Sequence, residues 1–357
     1  MMGEAKGNDQ LQFTASSNTT FRLNKKLYID LQLNGSYRQN NDFAYGVSPY
    51  EYAMNTTRAI PVYNEDGTYF YHDKSGVRSY SIVDKNYYNY NILNEIDNTG
   101  KKSIGKNFQA ALNLHWDIVN HLQFQGSASL ALANSNVKSW ATEYSEYISA
   151  IRGYEYGQVT SNSIEELSSP LPFGGLLNSQ NSSNVNYSFR GALVYNNLFA
   201  QKHAVTFNIG AQATSNKMDG ETFLRYGYLK YRGETFAPVP ERSTLGSATG
   251  YQSMTDLNEQ MRAGSSIVNT VNNQMSEYLT AVYSYDNRYT FNMNARLDAS
   301  NRFGQDENKR FNPSFSLGAK WRLGEEHYME WARQWFDMFD VSFSYGWRGN
   351  EIGRAHV

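Results

Sequence analysis

The stretch Phe21-Arg22-Leu23-Asn24-Lys25-Lys26-Leu27-Tyr28-Ile29-Asp30-Leu31-Gln32-Leu33-Asn34-Gly35-Ser36-Tyr37 decides the fold. Leu27, Ile29, Leu31, Leu33 and Tyr37 point one way, and Tyr28, Asp30, Gln32, Asn34 and Ser36 point the other. A side-chain period of two belongs to a strand with two chemically different faces. Phe13, Ala15, Phe21 and Leu23 form a matching run before it, and only Asn24-Lys25-Lys26 lies between the two. Phe13–Leu23 and Leu27–Tyr37 are therefore expected to form an antiparallel hairpin.

The same grammar repeats along the chain. Phe108–Trp116 returns as Leu122–Leu132, Tyr187–Tyr195 as Val205–Ala213, and Leu279–Tyr285 turns at Asp286-Asn287 into Phe291–Leu297. Phe311–Trp321 leads through a longer connection to Val341–Trp347. About ten strands result, each of the roughly 9–11 residues that a tilted spanning strand needs. Between the tight hairpins lie the connections Arg38–Gly105, Asn134–Asn184 and Ser215–Met275. Structureless loops beyond about 15 residues are uncommon in a compact domain. Tight turns alternating with long loops, and an apolar face alternating with an Asn/Gln/Ser/Thr face, read as an antiparallel transmembrane β-barrel. A soluble or surface-exposed carbohydrate-binding β protein is the alternative, because alternation by itself does not distinguish a lipid-facing side from a buried one.

Composition suits the barrel and, equally, a soluble tyrosine-rich β protein such as a sandwich or solenoid. The chain has 357 residues, of which 18% are charged and 15% aromatic, with 28 tyrosines. Its mean hydropathy is -0.64. That polarity comes from neutral amides and hydroxyls, which suit a water-filled interior framed by aromatic girdles. Tyr37, Trp116, Tyr195, Tyr285, Tyr289, Trp321 and Trp347 fall near strand ends, where an amphipathic ring is stable between lipid and water. A net charge of -2 gives no footprint for nucleic acid. Cysteine is absent, which removes thiolate metal sites and thiol nucleophiles. Met1–Lys6 has no apolar core of a signal peptide, so a barrel reading makes this chain a piece of something longer.

Two stretches name a family. The first is Val47-Ser48-Pro49-Tyr50-Glu51-Tyr52-Ala53-Met54-Asn55-Thr56-Thr57-Arg58-Ala59-Ile60-Pro61-Val62-Tyr63-Asn64-Glu65-Asp66-Gly67. The second begins with Arg296-Leu297-Asp298-Ala299-Ser300-Asn301-Arg302-Phe303-Gly304. It continues through Phe311–Trp321 and Glu325-Glu326 to Ser344-Tyr345-Gly346-Trp347-Arg348-Gly349-Asn350. Both resemble the SusC/RagA family of TonB-dependent outer-membrane transporters of Bacteroidota. The resemblance implies about ten strands of a barrel of about 22, with a plug, a lidding SusD-type surface lipoprotein, coupling to the TonB complex, and an oligosaccharide or peptide as cargo. Residues 1–350 are then a partial barrel domain in the cell outer membrane, with signal peptide, plug and C-terminal strands missing. A TonB-dependent siderophore or vitamin receptor is the nearest functional rival. Ile352-Gly353-Arg354-Ala355-His356-Val357 is what a widely used sequencing adapter encodes in one frame, so residues 351–357 are expected to be an assembly artefact.

No HExxH, GxSxG, phosphate-loop or EF-hand spacing occurs, so neither an enzyme nor a cofactor is expected. His115 and His121 straddle a turn and read as rim residues, and Glu325-Glu326-His327 as a solvated charge run. Tyr328, Trp331 and Trp335 follow at helical spacing, as a short interfacial helix would place them. Candidate ligand contacts are the loop aromatics Tyr88, Tyr90, Tyr228 and Tyr231, together with Arg58, which is expected to face the lumen. For each aromatic, loop packing and contact with a partner lipoprotein are equal alternatives.

Overall fold

The computed structural model describes residues 7–75, 85–241, 257–302, 311–336 and 338–348. Met1–Lys6, Phe303-Gly304, Gly349-Asn350 and residues 351–357 lie outside them. In chain order the elements are β1 (Asp9–Asn24), β2 (Leu27–Asp42), α1 (Pro49–Asn55), β3 (His72–Ser75), β4 (Tyr87–Tyr90) and α2 (Ile92–Asn98). Next come β5 (Thr99–Val119), β6 (Leu122–Ala141), α3 (Glu146–Arg152), α4 (Ile164–Ser168), β7 (Gly175–Phe199), β8 (His203–Leu229) and β9 (Thr235–Phe236). Then follow α5 (Leu257–Ala263), β10 (Ser266–Tyr285), β11 (Tyr289–Ser300), β12 (Phe311–Arg322) and β13 (Asp340–Arg348).

An 11-stranded antiparallel sheet runs in the order β1-β2-β5-β6-β7-β8-β10-β11-β12-β13, with β9 attached to β8. The expected pairings hold. Phe13 opposes Tyr37 and Phe21 opposes Ile29; Phe108 opposes Leu132 and Trp116 opposes Phe124. The β7–β8 and β10–β11 turns owe their shape to left-handed backbone. Asp286 and Asn287 have φ of 51° and 54°, and Ala200 and Gln201 have 46° and 58°. Arg288 N–H then reaches Tyr285 O at 3.0 Å, and Lys202 N–H reaches Phe199 O at 3.1 Å. Such turns match the right-handed twist of the strands they join.

Register aligns the apolar residues into rows across the sheet. One row is Leu27–Trp116–Phe124–Leu193–Ile209–Leu279–Ala295–Phe315–Trp347, from β2 to β13. A second is Leu31–Leu112–Ala128–Phe189–Ala213–Met275–Ala299–Phe311. Among the described residues no second layer covers this face; Phe189 is 57% exposed and Leu112 40%. From Phe108 to Trp116 the band measures roughly 27 Å along β5. At the roughly 40° tilt of barrel strands that is about 20 Å along the membrane normal, of the order of the roughly 25 Å apolar belt of outer-membrane barrels.

The opposite face is polar. Its central row reads Arg22–Tyr28–His115–Gln125–Ala192–Gly210–Tyr278–Arg296–Ser314–Arg348. Tyr278 lies across Gly210, where a Cβ would stand 2.5 Å from its ring, so only a glycine leaves the ring room. Arg190 Nε donates to its hydroxyl at 2.9 Å. Arg296 Nε holds Asp298 at 2.8 Å, and its Nη2 donates to Ser276 Oγ at 3.1 Å.

Strand length departs from expectation. The strands reach 25 residues in β7 and 27 in β8, and the three long connections shrink to 43–98, 142–174 and 230–265. Above the row containing Phe108 the formerly apolar face continues as Lys106–Asn134–Ser183–Asp219–Asn269. The hydrophobic period disappears there, but the backbone ladder does not depend on it. The connections are not structureless either, because they carry α1 to α5 and most of the buried residues among those described, the rest coming from the strands. One core cluster joins Ala141, Ile148, Ile151, Leu171, Leu176, Tyr226 and Leu257. A second joins Val47, Tyr90 and Ile92. Between Arg322 and β13 the chain forms short 3-10 turns, Leu323–Glu325 and His327–Gln334, in place of an α-helix.

Candidate functional site

The long-loop end is built by capping. Asn91 starts α2: its Oδ1 accepts from Leu93 N–H at 2.9 Å, while its Nδ2 donates to the carbonyls of Val62 and Phe70 at 2.8 Å each. One side chain thus fixes a helix start and two strands of loop. Ser145 caps α3 in the same way through Ile148 N–H, and Gly153 ends that helix at φ +94°. The two helices meet at Glu95. Its carboxylate accepts Glu146 N–H at 3.0 and 3.1 Å and Asn94 Nδ2 at 3.0 Å. Burial pushes the Glu95 carboxyl up to about 7, against the hydrogen bonds from Glu146 N–H and Asn94, which favour its charge.

Arg152, at the end of α3, is buried. Nη1 donates to Glu143 O at 3.0 Å, and the guanidinium lies 5.5 Å from the ring centre of Tyr156. Around it the three long connections converge on an open aromatic cluster. Tyr144 and Tyr156 meet edge to face at 4.7 Å, and Tyr231 stands 6.5 Å from Tyr144. Charges of both signs ring these tyrosines. Tyr231 donates to Asp97 O at 3.2 Å and Tyr69 to Asp97 Oδ2 at 2.9 Å. Arg232 Nη2 donates to Tyr156 Oη at 3.3 Å and lies 4.0 Å from Glu143 Oε1. Lys230 Nζ sits 4.4 Å above Trp140, where partial burial lowers its affinity for a proton. Exposed tyrosine faces beside fixed cations and a carboxylate can stack on planar or sugar groups and pair with termini or hydroxyls.

The residues singled out in the sequence divide here. Tyr88, Tyr90 and Tyr228 are buried at 1%, 4% and 4% exposure. Tyr90 packs in the cluster with Val47 and Ile92, and Tyr228 against Phe236. Burial raises the phenols of Tyr88 and Tyr228 to about 12. Tyr231, 63% exposed, belongs to the open cluster. Arg58 is exposed in the turn after α1. Tyr144, Tyr156, Asp97, Lys230 and Arg232 escaped sequence reading. Asp97, Tyr144 and Tyr156 come from other loops than Tyr231, whereas Lys230 and Arg232 flank it in the sequence. His115 stacks on Tyr28 at 4.6 Å, and the described residues hold no group of three or more metal-ligating side chains.

No protein-family model and no curated protein matches the chain. Among solved structures it is similar to the RagAB peptide transporter, at TM-score 0.61 and 15% identity, over 97% of this chain and 34% of that one. The RagAB peptide importer in its closed-closed state gives 0.60 at 15% identity, over 97% and 33%. Its open-open state gives 0.60 at 14%, over 95% and 32%. The chain spans about a third of the length of these transporters. At such identity the likeness is one of fold: this is the antiparallel wall of a transmembrane β-barrel, seen in part.

Proposed function

We propose that the chain is part of the barrel wall and outer loops of a TonB-dependent outer-membrane importer of the SusC/RagA type. Residues 1–350 form a partial barrel domain in this reading, and residues 351–357 are an assembly artefact. The observation that carries it is the division of the molecule. A single sheet with a bare apolar belt and a polar inner face continues into loops that hold a core and an exposed aromatic cluster. Lipid covers the belt, the polar face lines the route, and Tyr231, Tyr144 and Tyr156 with Asp97 and Arg232 greet an oligosaccharide or peptide at the outer mouth. A SusD-type lipoprotein then closes over the same loops, and the TonB complex acts on parts of the protein outside this chain. Localisation follows as the outer membrane of a Bacteroidota-like cell. Arg58, on an exposed loop turn, is assigned to the lumen side.

The test is binding to the full-length protein in detergent, screened against an oligopeptide library and an oligosaccharide array. Tyr231→Ala should weaken the retained ligand roughly tenfold, about 1.4 kcal/mol. Unchanged affinity in Tyr231→Ala and in Tyr144→Ala would remove the cluster from the route.

A further inference from the structure

The connection between β12 and β13 holds a group of residues that transport does not use. Glu326 ties its first turn to the sheet, accepting from Trp321 Nε1 at 3.0 Å and from the hydroxyl of Tyr289, with Arg288 Nη1 at 3.5 Å. These hydrogen bonds and the arginine hold its carboxyl below the usual range. Tyr289 and Trp321 are register partners in the row Tyr285–Tyr289–Trp321–Val341, which belongs to the apolar face. Glu326 therefore seats the connection on the lipid side of the rim. Gly324 N–H donates to Phe339 O at 2.9 Å and closes the base.

Beyond this clasp the segment turns its large side chains outward. Trp331 is 68% exposed, Trp335 79%, Phe336 61% and Met338 74%, all more than the 37% of Trp321 in the belt itself. So large an apolar patch is unfavourable in water and marks a contact surface. The sequence of this segment holds one arginine, Arg333, among Glu325, Glu330 and Asp337, and so offers no basic cluster for an anionic surface. Indole rings are stable where an apolar body meets hydrocarbon and a polar edge meets headgroups. The patch continues the belt at the depth where that boundary falls.

We infer that residues 323–336, with Met338 and Phe339, form a foot lying in the headgroup layer of the leaflet at the short-turn end. Trp331, Trp335, Phe336 and Met338 are immersed in zwitterionic phospholipid. The inference rests on the reading that the sheet spans the outer membrane. This chain has no cysteine, so in a cysteine-free background of the full-length protein single cysteines take an environment-sensitive dye cleanly. Trp331→Cys, Trp335→Cys and the belt variant Leu112→Cys are reconstituted in phosphatidylcholine with nitroxide lipids. The foot labels should be quenched at least about twofold more by shallow than by deep nitroxides, as for groups some 5–10 Å into the interface. High salt should not change this, and the Leu112 label should show the opposite preference. A quenched Leu112 label with unquenched foot labels would overturn the foot and leave the barrel standing. If Leu112 is also unquenched, the spanning reading fails and takes the foot with it. Shielding that grows with the protein-to-lipid ratio would assign the patch to a second copy of the protein and equally overturn the inference.

Discussion

The two ends of this sheet handle hydrophobic side chains in opposite ways. At the long-loop end Ile148 and Leu171 are fully buried among helices and loops. Along the belt Leu112, Phe189 and Phe343 remain 40%, 57% and 68% exposed on the face of the sheet. The side chains are of one kind, and what differs is the solvent. Where water surrounds the chain, the loops must build their own core. Where hydrocarbon surrounds it, an exposed leucine loses nothing, because lipid tails are as apolar as leucine.

That contrast breaks most sharply under the same mutation at both ends. Leu171→Ala should open a cavity in the loop core and cost about 2–5 kcal/mol of loop stability. Leu112→Ala should cost far less, since lipid fills the space. Limited proteolysis of reconstituted protein reads the first, and equal protection of both variants would contradict a protein-built loop core. The next largest effect inverts the chemistry at the belt. Leu112→Arg near the midplane should cost roughly 2–4 kcal/mol of folding into bilayers, while Asn113→Ala, its polar-face neighbour, should cost little. Urea titrations in which the two are equally sensitive would undo the face assignment.

The remaining effect depends on pH and concerns the contact between α2 and α3. Glu95 has a carboxyl raised to about 7 in the folded loops against an ordinary 4.5. The folded form binds the extra proton, so its contribution is fully present below about 4.5 and is lost as pH rises through about 7. Amide exchange protection of α3 should fall by up to about tenfold per pH unit across that window and then level. Glu95→Gln should flatten the profile. Protection that increases with pH in the wild type would refute the assignment.

Hairpins and their faces were legible in the sequence wherever the period of two coincided with the belt, as in Leu27–Tyr37 and Phe108–Trp116. Beyond the belt both faces are polar, and β7 and β8 run on through Gln180–Ser183 and Lys217–Glu221 without a hydrophobic signal. Backbone pairing maintains those segments, and backbone pairing leaves no imprint on composition. The candidate site was legible only at Tyr231. Tyr88, Tyr90 and Tyr228 looked like its equals because a run of tyrosines in a loop reads the same whether the rings face in or out. Which rings turned inward was decided by residues far away in sequence, such as Val47 beside Tyr90.

Strand order carries a further consequence. In the main sheet each strand lies beside the one formed just before it, apart from the small strands held in the loops. A sheet of that kind can be extended vectorially, with the newest edge always serving as the template for the next hairpin. Its natural increment is two strands: adding or removing one hairpin leaves every other side chain on its own face and both rims at their own ends. The wall can widen or narrow over evolutionary time by whole hairpins, while a single-strand change would swap the two rims for everything downstream.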